Sequence, residues 1–384
     1  MSQPSVLVRT VLPLLLASLL LSGCDLFGGD DDGRPSLETT GVFVANGGNF
    51  SAQNGTITVY DPKAGQATTP PDLALNAFVN SIELHQGRLY ALLNTGFNSG
   101  RVNIIDPDSY ATTAQSDSLG ATRSVAFPEA DTTQGYVSTL RGTVRRFNPA
   151  TGAFEGAPIN VGPSASELVA TDAKVFTTIP DTSLALSDTI SNNGSKLAVF
   201  DIGTPSSVRT IDLGCDGPTA IAQDQEDELA VVCTGRTVFN SNFEPVERTN
   251  GSVLFVDPNT EVVVEQIPVG VQLGSITGAQ VAHYDPASEL LHAVGSRNRE
   301  ILRVDTDANA RLETISVPQD SSLTGIAAAA YDGTARQLYV ARTDVQDPFA
   351  SAGTVVVLGS SRDVVNQFTV GPAPSHIEIR RQSP

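Results

Sequence analysis

One pattern returns seven times along this 384-residue chain, and it constrains the fold more than any other feature. Each copy holds two apolar runs joined by a loop, and most copies end in Asp-Pro, Asn-Pro or Asp. The second runs are residues 55–62, 100–107, 142–149, 195–201, 251–258, 299–305 and 353–359. The first runs are residues 41–46, 88–94, 135–140, 174–179, 228–233, 289–294 and 337–342. Both are rich in β-branched and aromatic residues, which predicts strands, and the Asp-Pro pairs indicate turns.

Further runs complete a four-stranded unit. A third run precedes most copies, as at 217–222 and 323–330, and a fourth follows the turn, as at 261–267. Four strands per unit at this repeat length are typical of propeller blades. The first copy lacks an inner strand, and the last copy leaves one over at 371–379. We therefore predict an all-β, seven-bladed β-propeller, with the ring closed by the C-terminal strand completing the first blade.

The repeats resemble the YVTN-type β-propeller family. Its consensus has a Gly-x-x-Pro inner strand, a Leu-Tyr-Val-x-Asn strand and a Val-x-Val-Ile-Asp strand, and the resemblance spans residues 40 to 381. Members of that superfamily include binding proteins of unknown ligand, lactonases and lyases. The resemblance thus implies architecture more than activity.

The N-terminus predicts export. Arg9 precedes an apolar run at 11–21 that is too short for a membrane span. The following residues 21–24, Leu-Ser-Gly-Cys, resemble the lipobox of bacterial lipoproteins, in which the thiol here supplied by Cys24 receives a diacylglycerol. The alternative is an ordinary cysteine in a cleaved secretory signal. We predict a lipoprotein signal peptide at 1–23, a flexible acidic tether at 24–37 and the propeller at 38–384.

The sequence leaves the membrane open. An acidic run after the lipid cysteine resembles the surface-export signals of some Bacteroidetes lipoproteins, whereas Asp25 resembles an inner-membrane retention signal of enterobacteria. We predict a lipid-anchored protein of the cell envelope and favour the outer membrane or cell surface over the inner membrane. The net charge of −19 argues against nucleic acid as a partner, and it leaves the lipid as the sole contact with the membrane. We expect a monomer.

No cofactor or metal is predicted. The absence of tryptophan argues against quinoprotein and WD-type blades. Residues 305–309 have the spacing that opens a calcium loop, but Ala310 stands where that loop needs glycine and Ser316 where it needs a bidentate glutamate.

Polar residues of the inner strands are expected around the central channel. Alignment of these strands places seven residues at the channel mouth: Asn80, Arg123, Glu167, Thr219, Gln280, Thr324 and His376. Of these, Arg123, Glu167 and His376 would suffice for general acid/base hydrolysis of a lactone or ester. The other interpretation is that they are the polar lining of a water-filled channel, and we favour it because no spacing of nucleophile and base supports hydrolysis.

A disulfide is predicted between Cys215 and Cys233. Both cysteines fall at the same end of one blade, and export to an oxidising compartment permits the bond. Two buried free thiols are the alternative.

Long loops predict a binding face. The loops between the second and third strands share one face, and those at 180–194 and 234–251 exceed the usual length. They carry a mixed apolar and charged set: Leu184, Leu186, Asp188, Phe239, Phe243, Glu244 and Arg248. Such a set suits recognition, although long loops also fold back over their own blades. We predict a lipid-anchored binding or scaffold protein that recognises an envelope protein or glycan through this face, with a lactonase-like hydrolase as the alternative.

Overall fold

A computed structural model of the protein describes residues 37–70, 73–182, 190–295, 299–318 and 320–382. The predicted signal peptide, Cys24 and the tether as far as residue 36 lie outside these residues, and so do Leu184, Leu186 and Asp188. Residues Ser36–Pro384 form one compact unit. The described residues contain strands and turns, and no helix among them is long and apolar enough to cross a membrane.

The described residues form 32 strands. In chain order they are β1 (Glu38–Asn46), β2 (Thr56–Asp61), β3 (Gln66–Thr68), β4 (Phe78–His85), β5 (Arg88–Gly96), β6 (Ser99–Ile105), β7 (Thr112–Gln115), β8 (Thr122–Ala126), β9 (Gly135–Thr139), β10 (Thr143–Phe147), β11 (Phe154–Asn160), β12 (Leu168–Ala170), β13 (Lys174–Ile179), β14 (Ile190–Ser191), β15 (Lys196–Asp201), β16 (Arg209–Asp212), β17 (Pro218–Gln223), β18 (Leu229–Cys233), β19 (Thr237–Phe239), β20 (Pro245–Arg248), β21 (Ser252–Asp257), β22 (Val262–Pro268), β23 (Ala282–Asp285), β24 (Leu290–Val294), β25 (Glu300–Asp305), β26 (Ala310–Arg311), β27 (Ile315–Ser316), β28 (Leu323–Asp332), β29 (Gln337–Asp344), β30 (Gly353–Leu358), β31 (Val364–Val370) and β32 (Pro374–Gln382).

These strands make seven antiparallel sheets of four or five strands and one small sheet of three. In the order of hydrogen-bonded neighbours, the seven sheets are β3-β2-β1-β32, β4-β5-β6-β7, β11-β10-β9-β8, β12-β13-β15-β16, β17-β18-β21-β22, β23-β24-β25-β26 with β27 beside β25, and β28-β29-β30-β31. The first and third sheets are written from the outer strand to the inner strand, and the others from the inner strand to the outer strand. We number them as blades one to seven.

The inner strands close a ring. In sequence, β4, β8, β12, β17, β23, β28 and β32 each contact the next, and β32 contacts β4. The C-terminal β32 also pairs with β1, from Glu38 opposite Gln382 to Asn46 opposite Pro374. An inner strand from the end of the chain thereby completes the first blade, which removes the exposed edge that β1 would otherwise present. The predicted all-β propeller is confirmed.

Apolar packing between blades follows from strand alternation. Successive side chains of a strand point to opposite faces of its sheet, so one strand contributes to two interfaces. In β1, Val42 and Val44 pack against blade seven, whereas Phe43 and Ala45 pack against blade two. The seven apolar clusters found in the described residues each join two neighbouring blades. Burial on both faces explains why the runs are almost continuously apolar.

The disulfide prediction is confirmed. Cys215 and Cys233 are bonded, with their Cα atoms 6.2 Å apart. Cys233 ends β18, and Cys215 lies just before the neighbouring β17, so the bond joins two strand ends within blade five.

Candidate functional site

The antiparallel path of each blade gives the propeller two distinct faces. Loops between the second and third strands, and loops entering the next inner strand, emerge on one face, which we call the loop face. Turns that follow the inner strands emerge on the other, which we call the turn face; they include residues 86–87, 171–173, 224–228 and 333–336. A central channel runs between the two faces.

The long loops of blades four and five fold together on the loop face. β19 pairs with β20, from Thr237 opposite Arg248, and β14 of the blade-four loop pairs with β19, with Ile190 opposite Val238. The segment expected from sequence as a long loop at 234–251 is therefore a β-hairpin within a three-stranded sheet, which we call the accessory sheet. The accessory sheet links blades four and five on the loop face.

The predicted recognition residues that can be described lie on this hairpin. Phe243, at the hairpin turn, is 72% exposed and has a positive φ of 58°. Glu244 accepts a hydrogen bond from Asn240 at 2.9 Å, Arg248 is exposed, and Phe239 is half-buried. An apolar tip flanked by opposite charges thus projects from the accessory sheet.

Other loops of the same face also expose large apolar side chains. Phe97 is 82% exposed in blade two, and Val246 on β20 is 62% exposed. Among the described residues, Ile276, Val345 and Phe349 are further exposed large apolar side chains on loop-face loops. Large apolar side chains left in water on one face are typical of an interaction surface.

Three connected cavities form the channel. The cavity at the turn face has a volume of about 360 Å³. It narrows to a constriction of about 30 Å³, and beyond this a cavity of about 470 Å³ lies towards the loop face. Glu167 and His376 line both the turn-face cavity and the constriction, whereas Arg123 and Thr219 line the constriction and the loop-face cavity.

Of the titratable side chains that line the turn-face cavity, five come from four blades and form one group: Glu83, Glu167, His283, His376 and Glu378. His376 Nε2 lies 3.0 Å from Glu378 Oε1. The Ile221 amide donates to Glu167 Oε2 at 3.2 Å, and the Tyr331 amide donates to His283 Nδ1 at 3.3 Å. The side chains of this group keep some contact with the lumen, and that of Glu378 is 18% exposed.

Burial keeps this group largely neutral. It raises the pKa of Glu167 to about 7, even though His376 opposes the shift, and it raises the pKa of Glu378 to about 8. Burial followed by repulsion from Glu378 raises the pKa of Glu83 well above its usual range. The same loss of water lowers the pKa of His376 to about 4 and that of His283 to about 3. Both histidines are therefore neutral at pH 7, and Glu167 and Glu378 ionise near or above neutrality.

Arg123, Glu167 and His376, predicted at the channel mouth, are found together at the constriction inside it. Glu167 and His376 also line the turn-face cavity and Arg123 also lines the loop-face cavity, which places the three side chains between the two cavities. Gln280 lines the turn-face cavity and exchanges hydrogen bonds with the backbone of Ile377. Asn80 donates to the Arg123 carbonyl at 3.1 Å. The side chain of Thr324 lies outside the described part of the chain.

Sequence reasoning missed Glu83, His283 and Glu378. It placed one residue of each inner strand in the channel, although alternation sends the residue two positions further along to the same face. Glu378 is two residues after His376, so carrying the period of two one step deeper would have found it. The same step from Asn80 reaches Ile82 and from Gln280 reaches Ala282, so Glu83 and His283 do not follow from the predicted positions. In β4 the register shifts between Val79 and Ser81, which an alignment of strands by sequence does not show.

A second cluster of acidic residues lies at the rim of the turn face. Oxygens of Glu226, Glu289 and Asp307 lie within 4.8 Å of one another. Asp307 belongs to the segment whose spacing opens a calcium loop, and its neighbours come from other turns rather than from that segment.

The sequence matches no protein-family model and no curated protein. Solved structures resemble the fold at low identity. Apo AztD from Citrobacter koseri aligns with a TM-score of 0.53 at 14% identity, covering 90% of this chain and 99% of that chain. Hydrazine synthase from Kuenenia stuttgartiensis aligns with a TM-score of 0.56 at 14% identity, covering 80% of this chain and 95% of that one. A chain of the mitotic checkpoint complex aligns with a TM-score of 0.53 at 13% identity, covering 78% and 82%. These similarities support the propeller fold and carry no functional assignment.

Proposed function

We propose that this protein is a lipid-anchored binding or scaffold module of the cell envelope that recognises a protein or glycan through its loop face. The observation that carries the proposal is the accessory sheet, because it is formed by long loops of blades four and five and plays no part in closing the ring. That structure holds Phe243 and Val246 in water, at 72% and 62% exposure. Aromatic anchors surrounded by polar groups are the usual energetic centre of a protein interface.

The loop-face test removes the two apolar side chains of the hairpin. We expect the F243S/V246S variant to fold normally and to capture its envelope partner about tenfold or more weakly, which is the change typical of losing an interface anchor. Pulldown from envelope extract, followed by titration of the protein or glycan that is recovered, measures the change. The matched control is V262S/V264S, since these valines are 54% and 48% exposed on an outer strand away from the loop face. Equal capture by both variants would move the site elsewhere.

The anchor is tested separately at Cys24. Because the lipobox thiol is the atom acylated in such proteins, Cys24→Ser is expected to yield no acylated product and to shift the protein from the detergent phase to the aqueous phase. Metabolic labelling with a fatty acid and phase partitioning measure both effects. An acylated C24S variant would remove the lipoprotein part of the proposal and leave the loop-face part intact.

A lactonase-like hydrolase is the second candidate function, favoured by one observation. Arg123, Glu167 and His376 line the same constriction, and the pKa of Glu167, raised by burial to about 7, suits proton transfer at neutral pH. Against it, Arg123 joins Glu167 and His376 only at the constriction of about 30 Å³, which has room for a water molecule rather than a lactone, and Arg123 does not line the turn-face cavity. Lactone hydrolysis that is abolished by Glu167→Gln would support this second function, and its absence would favour binding alone.

A further inference from the structure

We propose that the turn-face end of the channel is a separate binding site for a small primary amine, which it holds by its ammonium group among Glu83, Glu167 and Glu378. This site lies on the opposite side of the ring from the accessory sheet. It does not depend on the loop-face proposal.

The size and lining of the cavity suit a small molecule. Its volume of about 360 Å³ falls within the range of ligand pockets. Three carboxyl groups stand at its inner end, and Glu129 stands at its exposed rim. Apolar groups, including Phe127 and Leu168, line the wall between them and provide a surface for a short alkyl stem. Once these three inner carboxyls ionise, the site excludes anions and favours a cation.

His376 provides an observation independent of the carboxyls. Its side chain is nine-tenths buried and lines the cavity, yet Nδ1 has no hydrogen-bond partner. Nε2 faces Glu378 Oε1 at 3.0 Å. Above the pKa of Glu378, raised by burial to about 8, the neutral ring can donate from Nε2 to the ionised carboxylate, which presents Nδ1 as a free acceptor. Buried polar atoms normally find partners. A ligand N–H donor would satisfy this nitrogen.

The spacing of these groups favours a polyatomic cation over a bare metal ion. In the part of the chain that is described, three ligating side chains approach within 4.8 Å of one another only at Glu226, Glu289 and Asp307, on the rim. The channel groups are therefore more widely spaced than direct metal ligation requires. An ammonium group has three donors and can bridge acceptors that are further apart.

Binding should be linked to proton release. Since burial raises the pKa values of Glu167 and Glu378 to about 7 and 8, the empty site holds protons that a bound ammonium would displace. The charged and titratable groups that face this site are Glu83, Glu129, Glu167, Glu378, His85, His283, His376, Tyr284, Arg123 and Arg381. Both His283 and His376 are neutral above pH 5. The carboxyls therefore control the pH dependence.

The test is calorimetric titration of the full-length protein with n-butylammonium, which stays charged below pH about 10, as lysine does. We expect n-butylammonium to bind at pH 8.5. At pH 6.5 its affinity should be lower by about tenfold or more, since at least one proton must then leave the site on binding. Uncharged n-butanol should not bind measurably. Failure of n-butylammonium to bind at pH 8.5, or equal binding of n-butanol, would overturn the proposal.

Variants locate the site. Glu167→Gln and Glu83→Gln replace a carboxyl by an amide of similar shape, and each is expected to weaken n-butylammonium binding by about tenfold or more, as loss of a charge-assisted hydrogen bond does. Glu265→Gln, on an exposed part of β22, is the matched control and should bind as the unaltered protein does. Circular dichroism confirms folding. Unchanged binding in both channel variants would show that the amine binds elsewhere. F243S/V246S should leave amine binding intact, which separates this site from the loop face.

Discussion

At the scale of single residues, the most constrained polar contacts lie where the ring closes. Arg381 on β32 donates to Asp285 of blade six and to Asp332 of blade seven. Both carboxylates are fully buried, and Thr39 on β1 also donates to Asp332. One guanidinium thus compensates two buried charges and ties the C-terminal strand to two neighbouring blades.

We predict that Arg381→Ala destabilises the protein by about 3–5 kcal/mol, because it leaves two buried carboxylates without their cation. Lys63 is the control, since it pairs with Glu38 and the two side chains are 67% and 46% exposed. Lys63→Ala should cost no more than about 1 kcal/mol, as is usual for exposed pairs. Urea denaturation of both variants measures the difference. Equal, small losses would show that water reaches the two aspartates.

These partners could not be read from the sequence. Asp285 and Asp332 are 96 and 49 residues from Arg381, and many other carboxylates are available in a chain with 42 acidic residues. By contrast, the cysteine pair was predictable, because the two residues fall at the ends of adjacent strands within one repeat. Contacts inside a repeat follow from its pattern, whereas contacts between repeats depend on the relative placement of blades.

At the scale of elements, the same distinction separates the blades from the accessory sheet. Apolar alternation and turn residues identify the repeated strands, and the leftover strand at the C-terminus indicates how the first blade is completed. β14 has only two residues and pairs with β19 from a different blade. A strand of two residues has no period to detect. Its partner is fixed by the neighbouring positions of blades four and five rather than by local propensity.

At the scale of the whole molecule, the channel group exists only because the ring closes. Glu83 comes from blade two, Glu167 from blade four, His283 from blade six, and His376 with Glu378 from blade one. Residues nearly 300 positions apart in sequence become neighbours on the axis. The sequence supplied the candidate strand positions, but the shared loss of water that shifts their pKa values arises from the assembled ring.

The channel group predicts a fall in stability between pH 6.5 and 8. The pKa values of His283 and His376 are lower in the folded protein, at about 3 and 4, than the ordinary value of about 6.5. The folded state therefore binds fewer protons, and the contribution of these histidines to stability rises with pH until about 7.5, where the unfolded histidines have lost their protons.

The contribution of Glu167 and Glu378 to stability changes with pH in the opposite direction. Their pKa values are raised from an ordinary value near 4.5 to about 7 and 8, so the folded state binds more protons than the unfolded state, and stability falls as pH rises through this window. Between pH 6.5 and about 7.5 the unfolded histidines lose their remaining protons, which offsets part of this fall. Above that pH the histidine contribution is constant, and exposed acidic residues are already ionised, so the decrease from the carboxyls remains. Its slope is at most about 1.4 kcal/mol per pH unit for each carboxyl. Urea denaturation at pH 6.5 and 8.5 measures it, and Glu167→Gln or Glu378→Gln should reduce the fall while Glu265→Gln should not. A stability that is constant or rising from pH 6.5 to 8.5 would mean that water in the channel solvates these carboxylates as well as bulk solvent does.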